Sequence, residues 1–303
     1  MQPGRLARRD VLKLVSTALA AAPLAQSLLA GAQGKPEKQT RRVLFFTKSA
    51  EYEHDVVRRD SGRLGAAETA LVQLGATHGF DVTASKDGTV FDTDLEQYDA
   101  FLFYTTGDIT RPGEDQQPPM SPRGKAALLS AIAAGKGFVG IHCASDTFHS
   151  AGERYQPQNI RDPYIDMLGG EFVSHGEQQQ ARIRVVDARF PGLQTVGEAF
   201  VLYEEWYALK NFAPDLHVIL VIDTTGMQGT EYQRPPYPVT WARQHGQGRV
   251  FYTAMGHRAE VWSHPLFQTV LLGGIAWVLR VVDADIPPNL PDVTPGAHTM
   301  PSP

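Results

Sequence analysis

The sequence predicts an α/β protein built on a doubly wound, mostly parallel sheet, and three observations lead there. Short apolar runs alternate with stretches of helical spacing in a βαβ-αβ rhythm. One run, Gly137-Phe138-Val139-Gly140-Ile141, is apolar throughout and flanked by glycine, as suits a strand covered on both faces. Directly after it come His142, Cys143, Ser145, Asp146, Thr147 and His149. Open α/β sheets bind ligands beyond the carboxyl ends of their strands, so this polar ending marks a candidate site. The plainer alternative is a polar loop that only caps the strand.

Taken in order, Arg8-Arg9-Asp10-Val11-Leu12-Lys13 has the twin-arginine arrangement ahead of an apolar run, Leu14 to Leu29. Ala30-Gly31-Ala32 is a small-residue cleavage site, so residues 1–32 are expected to be a signal peptide cut after Ala32. Pro23, Ser16, Thr17, Gln26 and Ser27 make the run too weakly apolar for a stable span. The expected export partner is the twin-arginine translocase, and the expected location is periplasmic or extracellular. Residues 33–41 form a polar linker, residues 42–282 the folded domain, and residues 283–303 a proline-rich, loosely held tail.

Within the domain, Val43 to Thr47 is the first buried strand, and a polar loop from Lys48 to Asp55 follows it. Leu64, Ala67, Leu71 and Leu74 recur at helical spacing, with Gly75 and Gly79 marking the end. Phe80 to Ala84 and Ala100 to Tyr104 are the next strands. Ser121-Pro122 supplies an N-cap and a first-turn proline for a helix that stops at Gly135. The loops after strands one, three and four then converge, bringing His54, Asp108 and His142 within reach of one another. Beyond Tyr164 the pattern becomes mixed. Ala181 to Val186, Phe200 to Tyr207 and Leu216 to Ile222 read as strands. Val239 to Ala242 and Arg249 to Ala254 read as a hairpin, and Pro265 to Arg280 as a helix.

Composition bounds the function. The chain has 303 residues, 20% of them charged, and a net charge of −5. No basic run follows the leader, which argues against nucleic acid. Cys143 is the single cysteine, so no intrachain disulfide can form.

Several segments together resemble the ThuA-like trehalose-utilisation family: Glu53-His54-Asp55, Gly137 to His142 with Asp146-Thr147-Phe148, and Leu168 to Phe172 with His175. Glu204-Glu205-Trp206-Tyr207, Pro238 to Trp241, Gly248 to Tyr252 and Gly256-His257 complete the set. The resemblance covers roughly Val43 to Arg280 and implies a flavodoxin-like sandwich related to class I glutamine amidotransferases. In those enzymes the strand-to-helix elbow presents a nucleophilic cysteine within G-x-C-x-G. Here His142 stands at that position and Cys143 comes one residue late, which argues against amidotransferase or protease chemistry. The resemblance further implies catabolism of trehalose and related sugars through 3-keto intermediates.

A 3-keto-glycoside needs a base near working pH, an electrophile for the developing oxyanion and an acid for the leaving group. The catalytic candidates are His142, Glu205, His257, Asp146 and Tyr207; His54, Tyr104 and Trp241 are candidates to hold a sugar. His54, His142 and His175 are candidate ligands for Zn²⁺ or a similar divalent metal. No H-x-x-x-H or H-x-H spacing supports the metal, so metal-free acid–base work stays open. On a strand Glu204 and Glu205 point to opposite faces, and the family pattern favours Glu205 and Tyr207 on the site side. Asp146 is expected to orient His142 or cap the following helix, and Trp241 could equally fill core. His78, His217, His245, His264 and His298 are expected to be structural or exposed, and Cys143 a buried small side chain. The reaction expected is hydrolysis, elimination or isomerisation of such a sugar, and the alternative from another class is a non-catalytic carbohydrate-binding or scaffold protein that keeps the fold.

Overall fold

The computed structural model describes residues 40–300. The expected leader, its cleavage site and nearly all of the linker lie outside the described residues. Strand β1 (Arg41–Phe46) turns from solvated arginines to four fully buried apolar residues. Helix α1 (Ala66–His78) starts at Gly65, whose backbone N–H donates to Glu68, and stops at Gly79 in the left-handed region (φ +80°). Leu64, expected on its apolar stripe, precedes the helix and is exposed. Strands β2 (Phe80–Ser85) and β3 (Ala100–Phe103) follow. Helix α2 (Pro122–Ala133) has the expected start, with Ser121 Oγ accepting from Gly124 N at 2.8 Å. It leads to β4 (Gly137–Ile141), buried at every position.

The second half adds helix α3 (Pro163–Leu168) and strands β5 (Glu171–His175), β6 (Gln179–Val185) and β7 (Ala199–Glu204). Then come β8 (Tyr207–Lys210), β9 (His217–Asp223), β10 (Tyr237–His245) and β11 (Gly248–Thr253). The short α4 (Ala259–Trp262), α5 (Pro265–Val278) and α6 (Leu290–Val293) close the chain.

Nine strands form one sheet in the order β2-β1-β3-β4-β11-β10-β9-β6-β7. The first five are parallel and the remaining pairs antiparallel. The parallel part has the flavodoxin-like order, with β11 in fifth place and the order reversing between β1 and β3. Strands β5 and β8 pair apart as a two-stranded sheet. The segment Phe200 to Tyr207, read as one strand, is therefore two, broken at Glu205-Trp206. Helix α5 packs on β11 and β4. Its Gly273 touches the 191–192 backbone so closely that a Cβ would stand 1.9 Å from Pro191 O.

The tail departs from expectation. Asn289 N donates to Leu216 O (3.0 Å), and Asn289 Oδ1 accepts from Val218 N (2.7 Å). Arg234 Nη2 donates to Ala297 O at 2.6 Å, and Leu290, Thr294 and Ala297 are buried. Proline content limited the tail's own secondary structure, but its polar backbone is satisfied against β9.

Candidate active site

The loops beyond β1, β4 and β11 converge at the carboxyl edge of the parallel strands, and each delivers one histidine. His54 comes from the β1 loop, His142 from the residue after β4, and His257 from the turn after β11. Their rings form a triangle with all three centroid separations 5.2 Å and near-perpendicular planes. Glu205, in the break after β7, enters from the side, with Oε1 3.1 Å from His257 Nδ1 and 3.6 Å from His142 Nε2. One donor atom from each of the four lies within 4.8 Å of every other.

Each contributor is held by a local device. His142 is a non-glycine residue at φ +46°, a strained left-handed conformation at the strand-to-helix elbow. Tyr252 Oη donates to the His142 carbonyl at 2.8 Å, and Tyr164 Oη to that of Ala144 at 2.9 Å, bracing the elbow from below. The His142 Nδ1–H donates to the Ala254 carbonyl at 2.9 Å. That bond anchors the ring through Nδ1 and turns Nε2 toward the Glu205 carboxylate. Gly256, at φ +119°, makes the turn that aims His257. Glu204 Oε1 accepts from the backbone N–H of both Gly256 (2.7 Å) and His257 (3.0 Å). Its Oε2 accepts from Glu205 N at 2.9 Å. One buried carboxylate thus ties the ends of β7 and β11 together.

His54 Nδ1, His142 Nε2 and His257 Nδ1 are buried with no aligned hydrogen-bond partner. Burial, then the neighbouring His142 and His257, holds His54 well below the ordinary imidazole range. Burial pushes Glu205 up, but the His142 and His257 imidazoles override it and hold the carboxyl below the usual range. A neutral His54 and an ionised Glu205 are the protonation states a divalent ion requires of such ligands. Burial pushes Glu204 the other way, above the carboxylate range.

Comparison with known proteins gives the family and the fold. The family profile for ThuA, described as trehalose utilisation, matches residues 42–278. The chain belongs to the ThuA family. That family points to a role in carbohydrate utilisation. Two solved structures share the fold. A putative ThuA-like protein from Bacteroides uniformis ATCC 8492 is 18% identical, with a TM-score of 0.59, covering 82% of this chain and 95% of its own. Another from Parabacteroides merdae ATCC 43184 is also 18% identical, with a TM-score of 0.57, covering 88% and 97%. No curated protein matches.

In this ThuA chain the expected residues divide. His54, His142, Glu205 and His257 come together, and Tyr207 joins them, with its hydroxyl 3.4 Å from His54 Nε2 and its ring centroid 4.2 Å from that of His142. His175 is not in the four-donor group; His257 takes that place. His175 sits on the rim, its ring stacked on Tyr207 and its Nδ1 3.4 Å from Glu205 Oε2. Asp146 does not orient His142, whose Nδ1 is taken by Ala254; its carboxylate pairs with His149 Nε2 at 2.9 Å instead. Asp108 turns to Thr110 and Arg111. Trp241 is core: it stacks on Tyr252 and donates from Nε1 to Leu168 O. Tyr104 is fully buried behind the histidines, donating to Gly256 O. Cys143 is buried as expected, and burial pushes its thiol well up.

Sequence reasoning missed Glu204 and Gln178, whose side-chain amide meets His257 Nε2 at 3.0 Å. For Glu204 a signal existed. Counting by two from buried Leu202 puts it on the inner face. Gln178 lies in the run Glu177-Gln178-Gln179-Gln180, which carries no such signal.

Proposed function

We propose that this ThuA protein is an exported, metal-dependent enzyme that acts on a keto-glycoside by acid–base chemistry. One observation carries the reading. His142, anchored by its Nδ1 bond to the Ala254 carbonyl, turns Nε2 toward the Glu205 carboxylate and the unpartnered nitrogens of His54 and His257. Four acceptors converging in a buried space call for a cation, and three imidazoles with one carboxylate suit Zn²⁺ or a similar ion. A divalent ion there supplies a Lewis acid for a ketone oxygen.

His175 moves the proton. Its Nδ1–H donates to Gly176 O at 3.1 Å, which leaves Nε2 as the free acceptor, and the side chain is 44% exposed at the rim. From there it removes the proton on the carbon beside the ketone. The resulting electron pair expels the glycosidic oxygen from the next carbon, and the protonated His175 returns its proton to that oxygen. Glu205 lies 3.6, 3.1 and 3.4 Å from His142, His257 and His175, and would be the carboxylate ligand of the same ion.

Elemental analysis of the purified, folded chain tests the metal, and turnover of 3-keto-trehalose tests the chemistry. About one divalent ion per chain is expected, lost in His142→Ala. His175→Ala should keep the ion and lose at least about a hundredfold in kcat. A chain that takes up neither Zn²⁺ nor Mn²⁺ and turns over no keto-sugar overturns the reading. Sugar binding without turnover would favour the carbohydrate-binding alternative.

A further inference from the structure

The aromatic residues expected to seat a sugar, Tyr104 and Trp241, are fully buried and out of its reach, and Tyr207 is only 2% exposed. Another ring is not. Tyr52 is 58% exposed, and its ring stands edge-on to that of His54, with centroids 5.0 Å apart. An exposed aromatic on a wandering loop would mean little, but this loop is fixed on both sides of the residue. The Tyr52 carbonyl accepts from Thr106 Oγ1 at 3.0 Å, and Ala50 N donates to Thr106 O at 2.9 Å. Lys48 forms a fully buried ion pair with Asp115, whose other oxygen accepts from Ser49 N. On the far side Glu53 pairs with Lys86 at 2.9 Å. Gly107 lies so close to Glu51 that a Cβ would stand 2.6 Å from its Cγ.

A large amphipathic ring is therefore held out in water, by a braced backbone, beside a histidine of the four-donor group. A pyranose offers one face of C–H bonds and a rim of hydroxyls. The C–H face suits an aromatic plate, and the rim suits the polar groups next to it. We infer that Tyr52 is the stacking platform that seats a pyranose ring over the His54 side of the site. This rests on the carbohydrate reading above. The phenolic hydroxyl is not required for the stacking; the ring face is.

The test uses the metal-loaded full-length chain with trehalose and 3-keto-trehalose as probes. Calorimetry gives Kd, steady-state kinetics KM and kcat, and elemental analysis the metal content of Tyr52→Ala, Tyr52→Phe and Tyr52→Trp. Tyr52→Ala should weaken binding and raise KM about tenfold or more, with kcat and metal content little changed. Tyr52→Phe and Tyr52→Trp should stay within about threefold of wild type. Wild-type affinity in Tyr52→Ala overturns the inference. So does equal loss in all three variants, or metal loss in Tyr52→Ala, which would mean that the ring only supports His54. If wild type itself binds neither probe, the carbohydrate reading falls and takes this inference with it. That outcome is distinct from tight wild-type binding unaffected by Tyr52→Ala.

Discussion

Glu204 never points into the four-donor group, yet the group depends on it. Its carboxylate accepts three backbone N–H groups, from Glu205, Gly256 and His257, at the point where β7 and β11 end. In Glu204→Ala those donors lose their partner inside the protein, at about 1–3 kcal/mol each where water cannot replace it. The site effect should be separable from that loss. With the turn at Gly256 released, His257 is no longer aimed at Glu205, and metal affinity should fall about 10- to 100-fold, the usual cost of losing such a support. A competition titration with a chromogenic chelator measures it; unchanged affinity in a folded Glu204→Ala variant would refute the clamp. Cys143 makes the opposite prediction. Its thiol is fully buried and pushed up by burial, so the native chain should resist a thiol reagent and react with about one equivalent only when unfolded. Rapid native labelling with loss of activity would return the residue to consideration as a nucleophile.

Between residue and fold stand the short ties that hold elements in register, and one joins the elbow after β4 to strand β5. His149 Nε2 meets Asp146 at 2.9 Å and Nδ1 meets Glu171 at 3.3 Å. Burial pushes the ring down, but the two carboxylates override it and hold it up to about 9. A histidine raised in the folded state, against about 6.5 when unfolded, stabilises fully below about pH 6.5. That contribution declines from there and is gone above about pH 9. Discounted for its partial exposure it is worth about 2 kcal/mol. The stability gap between wild type and His149→Gln should therefore be present at pH 6 and closed near pH 9.5. Denaturant titrations across that range would refute the tie if the gap stayed flat. At this scale the sequence was most legible where one force dominated. Gly137 to Ile141 could be read exactly as far as it extends because a strand buried on both faces has no polar position to blur its ends. Ser121-Pro122 fixed a helix start because capping is local. The stretch Phe200 to Tyr207 was read as one strand because β propensity continues through it, whereas the turn at Glu205-Trp206 is imposed by two different sheets.

At the scale of the whole molecule, strand order is what makes a site of residues scattered from 54 to 257. Parallel strands β1, β4 and β11 must point the same way, so their following loops meet at one edge, and that could be reasoned from the sequence for His54 and His142. Which histidine completes the set could not, because β11 reaches the fifth place only after six antiparallel or separate strands have intervened. The same long-range logic governs the C-terminal segment, where composition argued for a loose tail. Arg234 Nη1 donates to Leu209 O and Nη2 to Ala297 O, its guanidinium lies over the Tyr237 ring, and Tyr237 Oη donates to the Tyr207 carbonyl. The tail is thereby linked to the strand that carries Tyr207. Removing residues 284–303 deletes three hydrogen bonds to the 216–218 backbone and one from the His217 ring, uncovers Leu290's packing site and strips a buried arginine of one acceptor. At about 1 kcal/mol per hydrogen bond and about 2 for the leucine, the loss comes to about 7 kcal/mol. For a domain of this size that lowers Tm by roughly 14–28 °C. Because the arginine link ends on β8, metal affinity should fall with it, more than in a variant destabilised equally on the far side of α1. A truncated chain that melts within about 2 °C of wild type would show that the tail only rests on the surface.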